Sequence, residues 1–164
     1  MSKKITAESA PSTVGSRYPA PHDEPCRNRK RWRLGDASGI TQFGVNLLRL
    51  PPGQWSSQRH WHTAEDEFIF VIEGEVVLVT DAGEEILRAG DSAGFKAGAA
   101  DGHHLQNRSN RDAVVLEVGS RRTEQDEVFY PGIDMRALPG RGGFVHEDGR
   151  RYPDNKPRSP PSSR

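Results

Sequence analysis

Apolar residues in this chain fall in short runs closed by turn residues. Phe43 to Leu50 ends at Pro51-Pro52-Gly53, Phe68 to Ile72 at Glu73-Gly74, and Val76 to Thr80 at Asp81-Ala82-Gly83. Glu85 to Leu87 ends at Ala89-Gly90-Asp91, and Ala113 to Val118 at Gly119. Glycine and proline at these points break regular backbone, and runs of this length between them predict strands. No segment of adequate length keeps a 3.6-residue apolar repeat, so the pattern predicts an all-β fold, a jelly roll or barrel. The run Phe68 to Ile72 is apolar at every position, so a strand there has two apolar faces. Its outward face needs a cover, either the N-terminal segment around Trp32 or a second subunit. A homodimer in which both contribute is expected.

The ends of the chain differ from its middle. Residues 1–25 are rich in Ser, Pro, Ala and charge, which predicts a flexible N-terminal arm. Residues 26–150 form the expected barrel, and the Pro/Ser-rich residues 151–164 a disordered tail. At 164 residues the chain can bury one ordinary core. Lys plus Arg and Asp plus Glu are both 23, so no global field favours nucleic acid or an anionic membrane. The single cysteine, Cys26, excludes an internal disulfide framework. The start Met-Ser-Lys-Lys-Ile-Thr lacks the apolar core of a secretory signal, and no apolar run reaches the roughly 18 residues of a membrane span. A cytoplasmic location is the expectation.

Candidate chemistry concentrates between Gly53 and Gly74. His60 and His62 are two apart, so on a strand both imidazoles point the same way. Glu67 follows after a short break and can bring a carboxylate oxygen to the same point. His103 lies in a second such segment. Nitrogen and oxygen ligands without thiolate suit Mn, Fe, Ni, Co or Zn.

These residues resemble a known family. Gly53, then His60-Trp61-His62, Glu67 and Gly74 are similar to the first conserved motif of the cupin superfamily. Gly90-Asp91, Phe95-Lys96-Ala97-Gly98, His103 and Asn107 resemble the second, with Lys96 where the family usually has proline and four residues rather than two between Gly98 and His103. The longer loop puts both His103 and His104 within reach of the third-histidine position; the family's His-x-x-x-Asn spacing selects His103. The resemblance covers roughly residues 40–120. It implies a small jelly-roll barrel holding one divalent metal through His60, His62, Glu67 and His103. It also implies a small-molecule ligand, such as a sugar or carboxylate, at an open-site metal. The chemistries open to such a site are isomerase, lyase, decarboxylase or dioxygenase; the alternative is a binding or sensor module without turnover.

Other residues carry weaker signals. Acid–base candidates by position are Arg59, His104, Asp101 and Glu73, although alternation turns Arg59 away from the side His60 faces. Trp55 and Trp61 read first as packing residues. The basic run Arg27 to Arg33 reads as a solvated or acid-paired segment, with Trp32 an anchor for the arm. Cys26 reads as inert, and His146 is too distant in sequence to rank as a fifth ligand.

Overall fold

The structure, a computed structural model, describes residues 4–153. Thirteen strands follow one another: β1 (Ser12–Val14), β2 (Lys30–Arg33), β3 (Phe43–Leu50), β4 (Trp61–His62), β5 (Glu67–Glu73), β6 (Glu75–Thr80) and β7 (Gly83–Arg88), then β8 (Ser92–Phe95), β9 (His104–Gln106), β10 (Ala113–Ser120), β11 (Val128–Phe129), β12 (Arg136–Ala137) and β13 (Phe144–Val145). One five-residue helix, α1 (Leu34–Ser38), links β2 to β3. The runs that alternation and turn residues mark out are β3, β5, β6, β7 and β10. A six-stranded sheet runs β1-β2-β3-β10-β5-β8, a three-stranded sheet β7-β6-β9, and a four-stranded sheet β13-β12-β11-β4, every pair antiparallel. This is the all-β barrel expected from the sequence.

Register explains why one end is dry and the other polar. Leu48 of β3 pairs with Val115 of β10, which pairs with Val71 of β5, and all three are fully buried. They pack on Val76, Leu78, Leu87 and Leu105 of the opposing sheet in one core cluster. Burying each such side chain stabilises the fold by roughly 1.5–3 kcal/mol. Two residues further along, the inward row reads Asn46, Glu117 and Ile69, and two further still Gly44, Gly119 and Glu67. The same alternation that fills the core therefore delivers polar groups to the barrel mouth. Between β5 and β6 the chain reverses at Gly74 (φ +75°), where an added Cβ would sit 2.8 Å from the Asp112 carbonyl oxygen. Only glycine fits that turn against the neighbouring backbone.

The N-terminal segment differs from the flexible arm expected of it. β1 pairs with β2, and Ala10, Ser16 and Tyr18 are buried. Tyr18 anchors a second cluster with Cys26, Tyr130 and Met135, so a few apolar side chains dock a segment whose composition is polar. Of the Pro/Ser-rich tail, residues 154–164 lie outside the described residues.

Trp32 does not cover β5. It sits on β2 opposite Leu47, and β3 and β10 separate β2 from β5 in the sheet. Phe68, Phe70 and Ile72 point outward and stay 38–43% exposed. Among the described residues no helix is long and apolar enough to cross a membrane.

Candidate metal centre

His60 and His103 face each other across an antiparallel bridge, exchanging both backbone hydrogen bonds at 3.1 and 2.9 Å. That pairing sets their rings 4.9 Å apart. His62 lies one strand step from His60, on β4, with ring centroids 5.1 Å apart. Glu67 opens β5 between Phe95 and Gly119, and its carboxylate enters the barrel from the opposite sheet. Its Oε2 lies 2.8 Å from His103 Nε2, 3.3 Å from His60 Nε2 and 3.5 Å from His62 Nε2. Glu67 Oε2 thus faces all three histidines named from the sequence, and His103 joins the set through this carboxylate. The ligand atoms of His60, His62 and Glu67 all lie within 4.8 Å of one another.

The far side of each imidazole is committed elsewhere. His62 Nδ1 lies 2.6 Å from Asp126 Oδ2, His60 Nδ1 2.9 Å from the Gln58 carbonyl, and His103 Nδ1 3.2 Å from the Asp101 carbonyl. A donor proton on each Nδ1 leaves the Nε2 lone pairs facing the centre, the arrangement in which histidines ligate a metal. Phe95 stacks on His103 at 3.6 Å and holds its plane. Asp126 is itself fixed by the backbone N–H groups of Ala64 and Glu65, at 2.8 and 3.2 Å. Its oxygens are therefore spent orienting His62, although His62, Glu65 and Asp126 also stand close enough together to be a ligand set.

Electrostatics agree with the geometry. Burial raises the cost of charge on Glu67, but His60 and the hydrogen bonds from three imidazoles outweigh it and hold its carboxyl well below the usual range. Burial likewise opposes charge on His62, yet Asp126 and Glu67 push its pKa up to about 10. Neutral imidazoles and one carboxylate fit a divalent ion of the Mn, Fe, Ni, Co or Zn kind.

His104 borders the main cavity, but its ring is engaged with residues outside the ligand set. Its Nδ1 bonds the Ser57 carbonyl at 2.9 Å, its Nε2 lies 3.0 Å from Gln106 Nε2, and Trp55 packs edge-on against it. Burial holds its pKa down to about 4. The other three acid–base candidates are placed away from that cavity. Arg59 turns outward to Asp81, Asp101 accepts the Asp81 backbone N–H, and Glu73 is exposed at the end of β5. His146 pairs with Asp134 at 2.8 Å and stacks on Tyr152. Asn107 is structural: its amide donates to the carbonyls of Leu50 and Arg111. Trp61 stacks on Phe129, and Cys26 is fully buried, with burial raising its pKa.

What lines the approach to the centre comes from elsewhere in the chain. A cavity of about 450 Å³ opens on His60, His62, Glu67 and His103, walled by Tyr18, Tyr130, Glu65 and several arginines. The Tyr130 ring lies 5.9 Å from the His60 ring, and burial raises its hydroxyl pKa well above 10. A smaller cavity of about 260 Å³ reaches His62, Glu67 and His103 past Lys96 and Asp101. Asn46 and Glu117 carried a signal that could have found them: each is a polar residue at an inward position, two residues from buried Leu48 and Val115. Tyr18 and Tyr130 carried none, and Arg29 stood only within the basic run Arg27 to Arg33, whose expected solvation it departs from by being buried.

Comparison with known proteins places the chain. The cupin domain family matches residues 46–119. A solved structure from Silicibacter pomeroyi, named a sugar phosphate isomerase from a cupin superfamily, is 41% identical, covering 92% of this chain and 97% of its own with a TM-score of 0.85. A second, from Acidithiobacillus ferrooxidans and named as a candidate sugar phosphate isomerase, is 26% identical over 93% of this chain and 97% of its own, with a TM-score of 0.76. The tetracenomycin polyketide synthase protein TcmJ of Streptomyces glaucescens is 29% identical over 101 residues, 62% of this chain; the match spans 64% of that relative's length. This chain belongs to the cupin superfamily.

Proposed function

We propose that the protein is a metal-dependent isomerase of a small hydroxy-carbonyl compound of the sugar class, with His60, His62, Glu67 and His103 as the ligands of one divalent ion. The observation that carries this reading is the polar, titratable lining of the cavity that opens on those four residues. An apolar lining would suit dioxygen chemistry or simple binding; hydroxyl and carboxylate groups beside the centre suit proton transfer. The cupin relative from Silicibacter pomeroyi named a sugar phosphate isomerase supports the same class.

A bound divalent ion supplies Lewis-acid polarisation of a carbonyl or hydroxyl oxygen. The rest falls to the chain. Tyr130, a protonated phenol on the cavity wall, donates a hydrogen bond to a substrate oxygen. Glu65 borders both cavities and offers a carboxylate to carry a proton between adjacent carbons. The hydrogen bond from the Arg122 backbone N–H, at 2.7 Å, fixes its side chain. Phe95 packs on His103 and Tyr130 lies beside His60, so aromatic rings wall two of the proposed ligands. The test is exchange of carbon-bound hydrogen for deuterium from solvent in free and phosphorylated aldoses and ketoses, followed by proton NMR with metal-loaded protein. No exchange with any member of such a panel, by a protein that binds its metal fully, contradicts the isomerase reading and favours a binding module.

The outward face of the six-stranded sheet supports a homodimer. Trp32, Leu47, Leu116 and Phe70 form one cross-strand row, flanked by Phe68 and Ile72. A second copy of this apolar face is the self-complementary cover it fits. Light scattering that gives a monomeric mass contradicts it.

A further inference from the structure

Arg29 is 7% exposed and lines the cavity that opens on the four converging residues. Its Nε donates to the Gly15 carbonyl at 3.2 Å, and its guanidinium carbon stands 6.0 Å from the Tyr18 ring. Among the described residues it has no carboxylate partner. The other cations of this wall mostly do. Arg31 is held by both Glu117 oxygens at 2.6 and 2.7 Å, and Arg33 and Arg121 share Asp36. Arg141 is likewise without a carboxylate among the described residues; it lines the same cavity as an exposed residue at φ 59°. A left-handed backbone is unfavourable for a residue with a Cβ.

A buried guanidinium with no carboxylate bonded to it is costly, and nearby Arg31 adds to the cost while Glu117 offsets part of it. Burial and the neighbouring Arg31 both weaken the hold of Arg29 on its proton, though an arginine keeps its charge in a protein. An anion entering the cavity relieves this. The planar fork of arginine matches a phosphate with two parallel hydrogen bonds, and adjacent cationic charge favours a dianion over a carboxylate. Position matters too. From Arg29 the wall passes to Tyr18, then to Tyr130 at 5.6 Å, then to His60 at 5.9 Å. Arg29 and the four residues of the candidate metal centre line the same cavity, so a molecule held there has both within its surroundings.

We propose that Arg29 is the anchor of a phosphate subsite, so that the substrate is a phosphate monoester of a small sugar whose unphosphorylated end reaches the metal centre. This deepens the isomerase reading and rests on it for the chemistry, but phosphate binding can be measured without it.

Inorganic phosphate is titrated by calorimetry, at low ionic strength, into the full chain as purified, after chelator treatment, and into His62→Ala. All three are expected to bind phosphate with similar affinity. Arg29→Gln weakens binding at least tenfold with an unchanged circular dichroism spectrum, and Arg29→Lys weakens it less. Equal binding by Arg29→Gln overturns the proposal. So does a wild-type chain that binds no phosphate up to millimolar concentration, or that binds acetate as tightly, and these outcomes need no variant to fold. Phosphate binding lost only on chelation or in His62→Ala overturns the Arg29 assignment by placing the anion on the metal. Failure of the metal reading shows instead as absence of bound metal with phosphate binding intact.

Discussion

His103 Nε2 lies 2.8 Å from Glu67 Oε2, the same oxygen that faces His60 and His62 at 3.3 and 3.5 Å. Three imidazole nitrogens gather on one carboxylate oxygen, and a cation among them gives every one of these donor atoms a partner.

Asp126 holds His62 from behind at 2.6 Å. Asp126→Asn keeps the shape and removes the charge, so metal affinity is expected to fall about 10–100-fold. Competition against a chelating fluorophore measures it. Affinity equal to wild type contradicts the orienting role of Asp126.

Tyr130 and Glu65 line the cavity without belonging to the four proposed ligands. Tyr130→Phe and Glu65→Gln are each expected to lower kcat about 10²–10⁴-fold while metal content stays at the wild-type level. Steady-state kinetics beside elemental analysis separate the two effects. A loss of metal in step with activity shows instead that the residue supports the ligand set.

Burial pushes the Tyr18 hydroxyl up to about 12, with Arg29 partly offsetting it. An unfolded tyrosine loses its proton near pH 10. The folded chain therefore holds more protons between these values, and stability falls as pH rises through that window. The contribution, about 2–3 kcal/mol, is complete below pH 10 and gone above about 12. Urea midpoints from pH 9 to 12 measure it against Tyr18→Phe, which flattens the alkaline limb. Parallel curves for the two proteins contradict this account.

Much of the barrel is local in sequence. The short apolar runs Phe43 to Leu50 and Ala113 to Val118, closed by glycine and proline, are enough to mark strands. His60, His62 and Glu67 lie within eight residues, so their convergence needs little beyond a strand and a turn. The partners of these residues are legible only in three dimensions. Asp126 is 64 positions from His62, and no periodicity links them. Tyr18 and Arg29 were hidden differently: each is a buried anchor inside a segment of polar composition, and composition averages over such single residues. The two apolar faces of β5 are legible in its sequence, but the cover expected from the segment around Trp32 is not found, because the sheet order, which sets Trp32 three strands away, is non-local.

The central claim is that four named side chains hold one divalent ion. Elemental analysis of protein purified without an affinity tag, for wild type and for His62→Ala, His103→Ala and His104→Ala, tests it most directly. The account predicts close to one ion per chain in wild type and His104→Ala, and little or none in His62→Ala and His103→Ala. A wild-type chain without stoichiometric metal after incubation with divalent salts, or equal metal in all four proteins, contradicts it.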